Sequence, residues 1–233
     1  LSVLDMEPKE LFHQLTLMEH TMFRAISIDE FCHHGKCKDS GERQALAPKL
    51  NNLIRWFNRM AIWVAKQILT ALELPDRIRL VQNFILIAHQ CLIWHNYNTC
   101  FEIVSGLTLS SVKRLHQTWA GVSNKSQMML NQLNTIMSQR PNYKMYRACL
   151  RGSSGVLHMG SHVAMLPFIG VHLTDLLYCD EGNVSYIDPS LPLVNCSKLR
   201  LMSAMLQKIQ AAQQNKYPFK ENAAVQSWIR TEV

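Results

Sequence analysis

Apolar residues recur at three- and four-residue intervals along nearly the whole chain, the pattern of helices that each bury one face. Leu11, Phe12 and Leu15 predict a first amphipathic helix over Pro8–Met18. Leu50, Leu53, Ile54, Phe57, Ala61, Val64, Ile68 and Leu72 predict a long helix over Pro48–Leu72. Trp56, Met60 and Trp63 give that helix a second apolar stripe, so it is expected to be covered on two sides. The helix opened by Pro75 is apolar nearly all round, from Ile78 to Leu92, which suits the centre of a domain. Shorter helices are predicted over Tyr97–Gly106, Ser110–Trp119 with Ser110 as its cap, Lys125–Met137 and Pro141–Arg151. Three more are predicted over Pro167–Asn183, Ser197–Gln214 and Ala223–Arg230. The glycine- and serine-containing stretch Arg151–Leu166 has weak periodicity and reads as a long loop, and a further loop carries Asp188-Pro189.

Composition narrows the class. Only 9 Gly and 8 Pro in 233 residues argue against a turn-rich all-β fold. A hydrophobic fraction of 48% supplies a sizeable core and excludes a disordered chain. No repeat or composition shift marks a linker, so residues 1–233 are read as one all-α domain. The chain opens on Leu, and it is read as excised from a longer multidomain protein.

The net charge of +7 favours acidic partners. The basic residues fall at helical intervals, as in Lys49/Arg55/Arg59 and Lys144/Arg147/Arg151, and form no nucleic-acid arm. No nucleic-acid signature accompanies them, so no nucleic-acid partner is expected. No apolar run reaches the roughly 18 residues of a membrane span, and no signal peptide is present, so direct membrane insertion is not expected. Seven cysteines, mostly inside apolar helical patterns, suit free thiols in a reducing compartment, hence the cytoplasm.

Candidate covalent and metal chemistry is thin. Cys32-His33-His34-Gly35-Lys36-Cys37 has zinc-binding residue types but lacks a second ligand pair at a familiar spacing. It reads as a polar loop, with neither metal nor cofactor expected. Cys100 and His95 are conceivable as nucleophile and base, but Cys100 lies among apolar residues, where a thiol is usually inert. There is no phosphate-cradling glycine loop and no strained serine elbow.

One stretch breaks a local rule. "PFIGVHLTDLLYCDEGN", Pro167–Asn183, opens with a proline suited to a first helical turn and ends at Gly182, a natural helix stop that can take the left-handed conformation. Asp180 and Glu181 nevertheless occupy its last turn, where the helix dipole is already negative. Leu177 lies one turn before Glu181 on the same face.

In order along the chain, seven segments together resemble the catalytic domain of Ras-family guanine nucleotide exchange factors. They are "QLTLMEHTMFRAI", "APKLNNLIRWFNRMAIWVAKQIL", "RIRLVQNFILIAHQCLIWHNYNTCFEIVSGL", "SSVKRLHQTW", "NYKMYR", "PFIGVHLTDLLYCDEGN" and "LVNCSKLR". The resemblance implies a single bowl-shaped helical domain with a protruding helical hairpin. It implies a non-covalent catalyst that accelerates GDP release from a Ras-family small GTPase through a nucleotide-free intermediate, Ras or Rap ahead of Ral. The alternative is an exchange-inactive scaffold of the same fold. Recruitment to membranes bearing lipidated GTPases would fall to other domains of the parent protein.

The resemblance also implies roles for single residues. Leu177 matches an apolar residue pushed towards the GTPase's magnesium site, and Glu181 an acid that reaches the phosphate-binding loop. Arg55 matches a basic residue presented towards switch II. Asn142, Tyr143 and Thr174 match partner-facing positions. Thr108 stands where many members have an asparagine that touches the GTPase, Cys196 replaces a usual aromatic residue, and Leu201 stands where some members have a basic one. On periodicity alone Leu177 also fits a core position and Arg55 a solvated surface charge. No upstream exchanger-motif segment is visible in the chain.

Overall fold

The computed structural model describes residues 2–37, 39–151, 163–188 and 191–233. Thirteen helices lie among them: α1 (Pro8–Arg24), α2 (Ile28–His34), α3 (Ser40–Leu46), α4 (Pro48–Thr70), α5 (Leu74–Ile93), α6 (Tyr97–Thr108), α7 (Ser110–Lys113), α8 (His116–Gly121), α9 (Asn124–Met137), α10 (Lys144–Arg151), α11 (Ile169–Glu181), α12 (Cys196–Ala212) and α13 (Ala223–Glu232). A short antiparallel pair, β1 (Tyr186–Asp188) and β2 (Leu191–Val194), joins α11 to α12. The fold is all-α apart from this ribbon.

The all-apolar helix takes the central place its sequence demands. Val81, Phe84, Ile85, Ile87, Ala88 and Cys91 of α5 are fully buried, with α1, α4, α6 and α9 packed around them. The α4–α6 approach depends on Gly106, because a Cβ there would lie 2.5 Å from the carbonyl oxygen of Ala61. A second apolar cluster gathers Phe23, Phe31, Leu53, Phe101, Tyr146 and Leu176 around the start of α4 and the α10–α12 region. The candidate site is built on this second cluster.

Several elements depart from the sequence reading. Helix α1 continues past Met18 to Arg24 because Glu19 and His20, which break the apolar pattern, are themselves buried. The Cys32–His34 segment is helical, not a polar loop. Ser27 and Glu30 form a capping box at the start of α2. The predicted Ser110–Trp119 helix is two short ones, and Ser110 is its first helical residue while Leu109 holds the cap position. The Asp188 loop carries a strand on each side, with Pro189 outside the described residues. Most of the predicted Arg151–Leu166 loop also lies outside them.

Helix α11 starts at Ile169, two residues beyond Pro167. The backbone before it is already tied elsewhere. The Leu166 N–H donates to His95 O, the Tyr97 N–H donates to Leu166 O, and the Phe168 N–H donates to the Tyr146 hydroxyl. Gly182 ends α11 with φ −76°, in the right-handed region, so the left-handed stop is not used. Its lack of a side chain matters for space, since a Cβ would meet Tyr178 O at 2.7 Å.

Candidate functional site

Helices α11 and α12 form a helical hairpin, and both arms rest on α2. Helix α2 is in turn fastened to α4. The Glu30 carboxylate accepts hydrogen bonds from the N–H groups of Lys49 (2.7 Å) and Leu50 (3.0 Å) at the first turn of α4. An anion at a helix N-terminus satisfies donors that have no partner within the helix and complements its dipole. A continuous set of contacts thus runs from the hairpin through α2 to the helix carrying Arg55.

The hairpin end explains half of the broken rule. Lys198, in the first turn of α12, places its ammonium 2.7 Å from the Asp180 carboxylate, 2.8 Å from Asp180 O and 3.1 Å from the Ser185 hydroxyl. Its side chain is only 7% exposed, against 28% for Asp180. Asp180 is therefore placed for a partner within the chain. Glu181 has no such bond. It is exposed and forms no hydrogen bond or ion pair among the described residues.

Leu177 is half-buried rather than fully exposed. It lies in a crevice with Phe31, Gly35 and Met202, and its Cδ1 stands 3.4 Å from where a Cβ of Gly35 would be. Thr174 is exposed, with its hydroxyl donating to Gly170 O. At about 1.5 Å per residue, Glu181 sits about 10 Å further along the helix axis than Thr174.

Next to the start of α11 lies an apolar groove of about 260 Å³ between Ile54 and Phe57 of α4, Phe168, and Leu173. Its wall is rigid. The Phe101 and Phe168 rings stack with centroids 4.0 Å apart, and Tyr143 packs 6.1 Å from Phe168. Asn142 and Tyr143 have φ of 43° and 52°, in the left-handed region that non-glycine residues seldom occupy. Arg147 holds this turn, donating to Asn142 O (3.0 Å) and to its side-chain oxygen (3.1 Å). Arg55 is exposed beside Ile54.

The structure therefore sets the first turns of α11 against the groove, with Tyr143 packed on its Phe168 wall and Leu177 and Glu181 further along the same helix, while Arg55 is not among the lining residues. Thr108 is not part of the groove lining. It ends α6, about 15 Å along that helix from Asn98, and its hydroxyl bonds to Val104 O and Ser105 O.

Residues that sequence reasoning missed stand behind these. Lys198 had a signal: a cation in the first turn of a helix opposes the dipole just as an acid in the last turn does. Glu19 and Glu102 had none. Both are fully buried and meet at one amide, with Asn98 Nδ2 donating to Glu19 (3.1 Å) and Glu102 (2.9 Å). Burial raises the pKa of Glu102 well above the usual carboxylate range, reinforced by Glu19, and burial raises that of Glu19 as well. Asn98 also lines the groove, so this pair lies behind its floor.

The candidate chemistries read from the sequence fare differently. Burial pushes the Cys100 thiol up to about 12, which leaves it uncharged and a poor nucleophile. Among the described residues, no group of three or more His, Cys, Asp or Glu side chains is arranged to hold a metal ion. No helix is long and apolar enough to cross a membrane.

Comparison with known proteins bears on what such a site serves. A family model described as the RasGEF domain matches residues 10–200. This chain belongs to the RasGEF domain family. The RasGEF domain is 31% identical over 221 residues to the mouse Ras-specific guanine nucleotide-releasing factor 2, covering 94% of this chain and 18% of that protein. It is 34% identical over 210 residues to Ras guanine nucleotide exchange factor Y of Dictyostelium discoideum, covering 90% of this chain and 13% of that protein. It thus spans less than a fifth of the length of these relatives. The family match covers the groove, Leu177, Glu181 and Lys198, and places all of them within the RasGEF domain.

Proposed function

We propose that this RasGEF domain accelerates GDP release from a Ras-family GTPase, and that α11 is the element that acts on the nucleotide site. The observation that carries the reading is the contrast between two adjacent acids. Asp180 is fixed internally by Lys198, while Glu181 is left exposed and unpaired one turn from Leu177. A charge unfavourable to its own helix and offered to solvent suits a partner.

In this mechanism the GTPase lays an apolar segment in the groove beside Phe168, and Arg55 meets acidic residues of switch II. Leu177 enters the magnesium site, where a hydrocarbon cannot supply the oxygen ligands the ion needs. Glu181 competes for the phosphate-loop donors and repels phosphate oxygens. A 10³-fold acceleration requires about 4 kcal/mol of barrier reduction, within reach of a displaced switch and a spoiled metal site. Factor and nucleotide then weaken each other's binding by the same factor, and GTP releases the complex. No bond of substrate or protein is made or broken, and no cofactor takes part.

The domain would work on GTPases at membranes, brought there by other parts of its parent protein. The test is the release of fluorescent GDP from Ras, Rap and Ral, each with the wild-type domain. Acceleration of at least one, Ras or Rap above Ral, is the expected result. Stable binding to a nucleotide-free GTPase without acceleration of any would support the scaffold reading.

A further inference from the structure

Away from the groove, α10, α11 and α12 enclose a pocket of about 250 Å³ with a marked charge imbalance. Arg147, Arg151 and Lys208 line it, and Asp175 is the one acid among its lining residues. Asp175 is already occupied. Both its oxygens accept from Arg147, at 2.7 and 2.8 Å, in a bidentate pair. Such a pair leaves little capacity to neutralise anything else. Arg151 and Lys208 come from different helices and have no ion-pair partner among the described residues. Both are exposed and both line the one cavity, so a bound anion would face two positive charges that no carboxylate among the described residues neutralises.

The remaining lining fits an anion as well. Leu150 and Met205 give the pocket an apolar wall, which lowers the local dielectric and strengthens charge interactions inside it. His172 also lines it. The Tyr146 hydroxyl accepts from the Phe168 N–H and lies 3.4 Å from His172 Nε2, which holds one side of the ring. The ring's Nδ1 has no hydrogen-bond partner among the described residues. Burial, with Arg147 and Lys208 opposing Asp175, lowers the His172 pKa to about 4 and keeps the ring neutral at physiological pH. The pocket thus combines two cations without ion-pair partners and a neutral imidazole. Its volume is below that of a typical drug-sized site, and it suits a compact charged group better than a whole nucleotide.

We propose that this pocket binds a phosphomonoester group, as carried by a phosphorylated inositol ring, through Arg151, Lys208 and His172. The ring is available free in solution or as a lipid headgroup, and the chemistry recognised is the same. The ligand would bridge α10 to both arms of the hairpin without touching Leu177, Glu181 or Arg55.

The test compares three forms of the domain: wild type, the double variant R151Q/K208Q, and the control K113Q/K125Q, which removes the same charge from exposed lysines elsewhere. Calorimetric titration with inositol trisphosphate should show saturable binding to wild type and control, weakened at least tenfold in the pocket variant. Equal weakening in both variants, or no binding to wild type at millimolar ligand, would overturn the proposal. Flotation with vesicles then separates the sources. A preference for phosphatidylinositol bisphosphate over phosphatidylserine at equal charge, lost in R151Q/K208Q, assigns the lipid headgroup. Titration binding without that preference assigns the soluble ring. GDP release from a soluble GTPase should be unchanged in the pocket variant, so failure of this proposal and failure of the exchange reading give different results.

Discussion

Lys198 and Asp180 face each other at 2.7 Å across the two arms of the α11–α12 hairpin, and each is misplaced in its own helix. Asp180 adds negative charge to a negative helix end, and Lys198 adds positive charge to a positive one. The antiparallel hairpin sets these two ends side by side, so the two unfavourable placements become one favourable contact. The Lys198 ammonium also bonds the Asp180 carbonyl, a group left open where α11 stops. Replacing Lys198 with Met should cost about 2 kcal/mol, the loss of a charged hydrogen-bonded group that is nearly buried. It should also slow GDP release by loosening the end of α11. Denaturant melts and release kinetics on the same variant check both, and a destabilised variant with full exchange per folded molecule would show that the brace has no role in activity.

Glu181→Ala should behave in the opposite way. The side chain is exposed and unpaired, so its loss should leave the melting temperature unchanged or slightly raised. Nucleotide release should slow. Unchanged kinetics would return Glu181 to the status of an ordinary surface acid.

Leu177→Ala tests a half-buried residue, and the expected stability cost is correspondingly intermediate. A fully buried leucine cut to alanine costs about 2–5 kcal/mol. Its half-buried place beside Phe31, Gly35 and Met202 should bring the loss to the low end of that range or below. The informative quantity is the release rate per folded molecule, which should fall more than affinity for the nucleotide-free GTPase, because a contact made where magnesium leaves acts on the barrier.

Arg55→Glu should weaken association with the GTPase while leaving folding intact, since Arg55 is exposed and forms no ion pair among the described residues. The defect should shrink in high salt, where charges are screened within a few ångströms. Binding measured at two ionic strengths decides it: a defect that does not change with salt would place Arg55 outside an electrostatic contact.

Glu19 and Glu102 give the fold a pH dependence with a definite sign. Both are pushed above their unfolded pKa, so the folded state holds protons that the unfolded state has released. Stability should therefore be fully present below the ordinary carboxylate range and fall as pH rises through the raised folded values. Glu102→Gln removes the more strongly shifted group and should flatten that decline, measured as urea midpoints between pH 5 and pH 9. An equally steep decline in the variant would exclude the pair as its source.

The helices and the central position of α5 were legible in the chain because apolar spacing is a local property, and each amphipathic face reports its own burial. The same holds for the broken rule at Asp180 and Glu181, which is visible within a single turn of helix. The register of partners was not legible. Nothing near Glu19 indicates that Glu102, 83 positions later, shares its amide, and both interrupt the apolar pattern while lying in the core. Nor could spacing distinguish Asp180 from Glu181, since both occupy the same last turn. Only the antiparallel packing of α11 on α12 decided that one carboxylate meets Lys198 and the other meets solvent, because successive residues on a helix point about 100° apart and a neighbouring arm can cover just one of them.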